Sequence, residues 1–169
     1  MSPTVWRGGL ALGGGIIAGL VPDVAPLFEL GGLLEHGSWG GGVALRHATL
    51  SEEEAENGRG VEVRSFGARL AASYGPVKLL RISLGVEADL MVGRGTGVAT
   101  PLSDEAWSLA ASGELAAILM EVDGLRLELA GQGRWALVRP RFQIAGFGDA
   151  YQVPEAGAGA LLRIAYLLF

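Results

Sequence analysis

Along "LRLELAGQGRWALV" the apolar and polar positions alternate with a period of two. Leu125, Leu127, Leu129, Trp135 and Leu137 share one parity, and Arg126, Glu128, Gln132 and Arg134 share the other. A helix would scatter the two sets around its axis, so the segment reads as a strand. "LLRISLGVEADLMV" repeats the pattern, with Leu80, Ile82, Leu84, Val86, Ala88 and Leu90 opposing Arg81, Ser83, Gly85, Glu87 and Asp89. Noisier segments agree. Trp107, Leu109, Leu115 and Leu119 oppose Ser108, Ser112 and Glu114, and Phe66, Ala68, Leu70 and Tyr74 oppose Gly67, Arg69 and Ser73. Phe28, Leu30 and Leu34 oppose Glu29 and Glu35, while Trp39, Val43 and Leu45 oppose Ala44 and Arg46. Trp6, Leu10, Leu12, Ile16 and Leu20 oppose Arg7, Gly9, Ala11 and Gly13. Eight strands are expected, at 4–20, 26–36, 38–50, 60–75, 77–94, 105–121, 124–143 and 156–169.

The connections carry a second pattern. "HGS", "YGPVK" and "VDGL" read as tight turns after strands two, four and six, and Asp123-Gly124 supplies the positive φ that a two-residue hairpin favours. "VPDVAP", "LSEEEAENGRG", "GRGTGVATPLSD" and the stretch near "AGFGDAYQVPE" are mostly longer loops, after strands one, three, five and seven. Short turns therefore gather at one end of the sheet, with both chain ends, and long loops at the other.

Composition decides which face is outside. Half of the 169 residues are apolar, yet no window reaches the ~18 continuous apolar residues of a membrane helix. There is one lysine, Lys78, beside twelve arginines, whereas a water-facing surface normally carries many lysines. The apolar parity is Leu, Ile, Val, Ala and aromatic. The other parity is small residues punctuated by Arg7, Glu29, Glu35, Arg46, Arg69, Arg81, Glu87, Asp89, Glu114, Arg126, Glu128, Arg134 and Arg163. Seven arginines against six carboxylates can neutralise one another, which suits a narrow interior where a charge must be paired. Trp6, Trp39, Tyr74 and Tyr166 fall near the short-turn ends of their strands, and Phe28, Phe66, Trp107 and Trp135 nearer the loop ends. Two aromatic girdles around an apolar band are expected of a strand-built membrane protein. The expected fold is all-β: one domain, an eight-stranded antiparallel up-and-down transmembrane β-barrel over residues 1–169.

The chain resembles the small outer-membrane β-barrels of the OmpA/OmpX type, over nearly its whole length and by pattern rather than by a motif. The resemblance implies a bacterial outer-membrane protein in contact with lipid and lipopolysaccharide, a monomer with a structural, adhesive or loop-mediated binding role. It also implies that the outer-membrane assembly machinery reads the last strand as an insertion signal, carried by Tyr166, Leu167 and Phe169. Phe169 and Leu167 match the alternation of such a signal, but Arg163 then falls on the lipid side. The opposite parity puts Leu162, Ile164 and Tyr166 outward. "WRGGLALGGGIIAGLVPDVA" is expected to form the first strand rather than a signal peptide, with export information upstream of this sequence.

Other chemistry is weakly encoded. "LGGGIIAG" lacks the Lys-Ser/Thr of a phosphate loop. The acidic residues Glu52, Glu53, Glu54 and Glu56 account for four of the charges behind a net charge of −5, so no basic footprint for nucleic acid is present. They read as a solvated loop rather than as a cation site. His36 and His47 read as girdle residues. A lipid A hydrolase would place a serine two residues after its histidine, and here Thr49 follows His47, with no orienting acid. No catalytic, cofactor or metal site is expected, and the absence of cysteine excludes thiolate ligands. Lipid-active enzyme and soluble lipocalin-like barrel remain the alternative readings.

Overall fold

The computed structural model describes residues 5–55, 59–97, 103–144 and 148–168. Eight long strands close into one antiparallel barrel: β1 (Trp6–Ala18), β2 (Ala25–His36), β3 (Trp39–Ala55), β4 (Arg59–Val77), β5 (Leu80–Thr96), β6 (Ser103–Val122), β7 (Leu125–Val138) and β10 (Ala156–Leu168). Each pairs with its neighbour in sequence, and β10 pairs with β1 to close the ring. The pairing path from Trp6 runs through His36, Trp39, Tyr74, Ile82, Leu115, Gly131 and Ala160 and returns to β1 at Ile16, ten residues above its start. That stagger over eight strands tilts them by about 40° at a radius of about 8 Å. A cylinder of that width is filled by side chains rather than by a wide channel.

The short turns are Gly37–Ser38, Lys78–Leu79 and Asp123–Gly124. Asp123 and Gly124 have φ of 50° and 82°, the left-handed pair that closes a two-residue hairpin. The second turn lies at Lys78–Leu79 rather than centred on Gly75-Pro76. A bulge between Tyr74 and Val77 carries β4 past the proline, which has no N–H to give to a regular ladder.

The loop end departs further from the sequence expectation. β3 runs on to Ala55 and β4 begins at Arg59, with a bulge between Ala48 and Ser51, so most of "SEEEAENGRG" is strand. β5 and β6 also extend, to Thr96 and from Ser103. Outward side chains here include Glu62 and Arg64 of β4, Arg94 of β5 and Glu105 of β6, and a strand polar on its outer face looks like a loop in sequence. Glu56 lies outside the described residues. The seventh strand ends at Val138, not at 143. After Pro140 the chain forms a separate hairpin, β8 (Arg141–Ile144) with β9 (Gly148–Gln152), where a plain loop was expected.

That hairpin and the first loop lean into the mouth of the barrel. Phe142, Tyr151 and Val153 join Leu20 and Val21 over Ile17, Leu27, Val61, Val63 and Met91, all buried. A side chain at Gly93 would occupy the place of the Phe142 ring. The Tyr151 hydroxyl donates to the Leu20 carbonyl at 3.2 Å. This apolar stopper is the hydrophobic core of the molecule.

Candidate functional site: a charged lumen in an apolar wall

Alternation along the strands sends one parity inward and the other outward. Leu10, Leu12, Leu30, Leu45, Leu70, Leu84, Val86, Leu115, Leu129 and Ile164 are among the side chains on the outer surface, each more than 40% exposed. The inward parity carries the charges. Glu29, Glu35, Arg46, Arg69, Glu87, Asp89, Glu114, Arg126, Glu128, Arg134 and Arg163 are buried, and Arg7 and Arg81 are half-buried nearer the turn end.

These charges form one ladder along the lumen. At the turn end Arg7 contacts Glu121 at 2.5 Å, and Glu121 contacts Arg126 at 2.7 Å. Arg126 reaches Glu35 at 2.6 Å, and Glu35 also holds Arg81. Arg81 lies 3.6 Å from Glu128, which is 3.2 Å from Arg163. Arg163 bridges Glu29 at 2.8 Å and Glu114 at 3.0 Å, and Glu114 receives Arg69 at 2.6 Å. Arg46 then contacts Glu87 at 2.7 Å, and Arg134 lies 3.4 Å from both Glu87 and Asp89. Asp89 accepts from Ser65 at 3.4 Å just below the stopper. Every carboxylate in the ladder has an arginine, and most are shared by two. That arrangement offsets desolvation in a way that a single buried pair does not.

Glu121 is the member that alternation in the sequence missed. In β6 it has the parity of Leu115 and Leu119, which face outward. A bulge between Ile118 and Met120 leaves Leu119 and Met120 both exposed and turns Glu121 inward, opposite Arg126. With Glu121 included, seven arginines face seven carboxylates. The sequence holds no local signal for the bulge.

Aromatic side chains border the outer apolar zone. Toward the turns, Trp6 stacks on His36 with centroids 4.5 Å apart, Trp39 meets Tyr74 at 4.8 Å, and Tyr166 is exposed. Toward the loops lie Phe28, Trp107, Trp135 and the stacked pair His47–Phe66 at 4.2 Å, with Arg64 5.9 Å from the Phe66 ring. His36 and Phe28, Trp39 and His47, and Tyr74 and Phe66 are each eight residues apart on one strand, about 20 Å of axial height at this tilt. An apolar band near 25 Å between aromatic girdles is the outer surface of a lipid-spanning barrel.

No protein-family model matches the sequence, and no curated protein matches it. Solved structures do. A major outer membrane protein from Thermus thermophilus superposes with a TM-score of 0.71 at 12% identity, over 97% of this chain and 100% of its own. The fold is that of the small outer-membrane β-barrels. Ail, the attachment invasion locus protein of Yersinia pestis, gives 0.61 at 9% identity, over 96% of this chain and 98% of its own. Its complex with the heparin analogue sucrose octasulfate gives 0.58 at 9% identity, over 96% and 99%. At such identities the fold is shared, not the side chains.

One expectation changes within this outer-membrane fold. The register of β10 runs unbroken from Ala156 to Leu168, so Leu162, Ile164, Tyr166 and Leu168 face outward and Leu167 points into the lumen. Leu167 therefore forms no part of an outward-facing signal, and Phe169 lies outside the described residues. His47 is held by its Nδ1 donating to the Ser65 carbonyl at 2.9 Å and by its stack on Phe66, on the outward parity it shares with Thr49.

Proposed function

We propose that the protein is an integral outer-membrane barrel whose lumen is closed by its charge ladder and stopper, and whose role is loop-mediated binding or adhesion at the cell surface. The observation that carries this reading is the division of the wall. Exposed Leu, Val, Ile and aromatic side chains cover the outside between the girdles, and the named charges of that zone lie within. A water-facing exterior of this kind would be an aggregation surface, whereas lipid removes the cost. A lipocalin-like barrel requires the reverse, an apolar cavity beneath a charged exterior.

The lumen suits a plug better than a pore. Its guanidinium groups bridge strands on opposite walls, as Arg163 of β10 does between β2 and β6. The loop end is the part that would meet partners, because the turns leave little chain to present. Lipopolysaccharide would surround the upper girdle, where Arg64 and Arg94 stand outward. The protein acts as a monomer and needs no cofactor or catalytic group.

Refolding tests the reading directly. The purified chain should gain β-rich circular dichroism only with detergent micelles and migrate as a heat-modifiable band on cold SDS gels. A folded, monodisperse protein in plain buffer would refute it.

A further inference from the structure

The two ends of the lumen are built differently. At the loop end, apolar side chains pack against one another, as Phe142 does over Gly93. At the turn end a cavity of about 700 Å³ opens between Gly37–Ser38, Lys78–Leu79 and the lower parts of β6 and β7. Its charged lining is Arg7, Lys78, Arg81 and Arg126 against Glu35 and Glu121. Ser73 and Arg81 also line a deeper cavity of about 80 Å³, so the two spaces share a wall.

We propose that the turn-end cavity binds a small oxyanion, a phosphate or carboxylate group, admitted from that end alone. Glu35 is divided between Arg81 and Arg126, Glu121 between Arg7 and Arg126, and Glu128 lies 3.6 Å from Arg81 and 3.5 Å from Arg126. Four cations to these three carboxylates leave a surplus of one positive charge. A concave site within low-dielectric walls focuses that potential on an entering anion. Arg126, only 3% exposed, is a fixed anchor rather than a wandering surface group. The stopper makes the well blind, so a ligand exchanges only through the turn end.

The chain has no cysteine, so a single thiol can report on the lumen. Ser73→Cys would place it on the wall common to both cavities, and Ser108→Cys beneath the stopper. Ser83→Cys, which lines the deeper cavity, replaces Ser73→Cys should that variant misfold. Detergent-refolded protein, checked by heat-modifiable migration, is treated with an anionic sulfonatoethyl or a cationic trimethylammonioethyl methanethiosulfonate, and rates are normalised to a free thiol. Ser73→Cys should favour the anionic reagent by roughly tenfold, the lower end of electrostatic focusing. Millimolar inorganic phosphate should slow its reaction, and adding Lys78→Gln and Arg81→Gln should abolish both effects. Ser108→Cys should react at least ~100-fold more slowly. Reconstitution in phosphatidylglycerol vesicles without phosphate separates the sources. Protection there assigns the oxyanion to a lipid headgroup, and protection by phosphate alone assigns it to solution. A preference for the cationic reagent, or no protection from either source, overturns the site. Equal rates at positions 73 and 108 overturn one-ended entry.

Discussion

Glu87 shows how much one lumenal residue holds. Its carboxylate, only 1% exposed, lies 2.7 Å from Arg46 and 3.4 Å from Arg134. Glu87→Leu would take the nearest carboxylate from Arg46 and leave Arg134 with Asp89 as its carboxylate. The expected loss is the ~3–5 kcal/mol of breaking one buried pair, read as a lower urea midpoint for the detergent-folded barrel. An unchanged midpoint would mean that water replaces the carboxylate. Glycines separate into two kinds on the same grounds. A Cβ at Gly67 would strike the Asp89 carboxylate, whereas one at Gly14 meets nothing within 4 Å. Gly67→Ala should therefore cost about 1–3 kcal/mol by displacing a buried charge from its partners, and Gly14→Ala should be neutral or slightly stabilising. Equal midpoints for the two variants would contradict this account of the lumen's packing.

At the scale of elements, the eight barrel strands and their two faces were legible because lipid-type burial writes a strict period of two into Leu80–Leu90 and Leu125–Val138. Three features were not, each for a physical reason. The β6 bulge inserts one residue and reverses parity, so Glu121 looked external. The upper parts of β4 to β6 carry Glu62, Arg64, Arg94 and Glu105 on the outer parity, which removes the apolar half of the signal. The β8–β9 hairpin has strands of four and five residues, too short for a period to emerge. It matters nonetheless, because Phe142 fills the space above Gly93. Phe142→Ala should loosen the hairpin without unfolding the barrel: faster hydrogen exchange over residues 141–153, with heat-modifiable migration retained. Uniform loss of protection in all strands would show that the stopper is inseparable from the barrel.

The whole molecule is asymmetric along its axis. The loop end carries the stopper, an extra hairpin and a raised wall on the β3 to β6 side, while the turn end is low and open. On the proposed function the terminal strand also serves recognition by the assembly machinery, with Tyr166, Ile164 and Leu162 on the outer face of β10. Removing Phe169 should impair insertion in cells while leaving refolding into detergent largely intact. Equal insertion with and without it would exclude a role for that residue.

The balance of the ladder has one more consequence. Seven positive and seven negative side chains sum to zero within the barrel, so a voltage across the membrane does no net work on them as a group. One uncompensated charge crossing the full field would feel about 2.3 kcal/mol per 100 mV. Neutrality leaves the interior without a handle for an electric field, and a substitution such as Glu87→Gln would supply one.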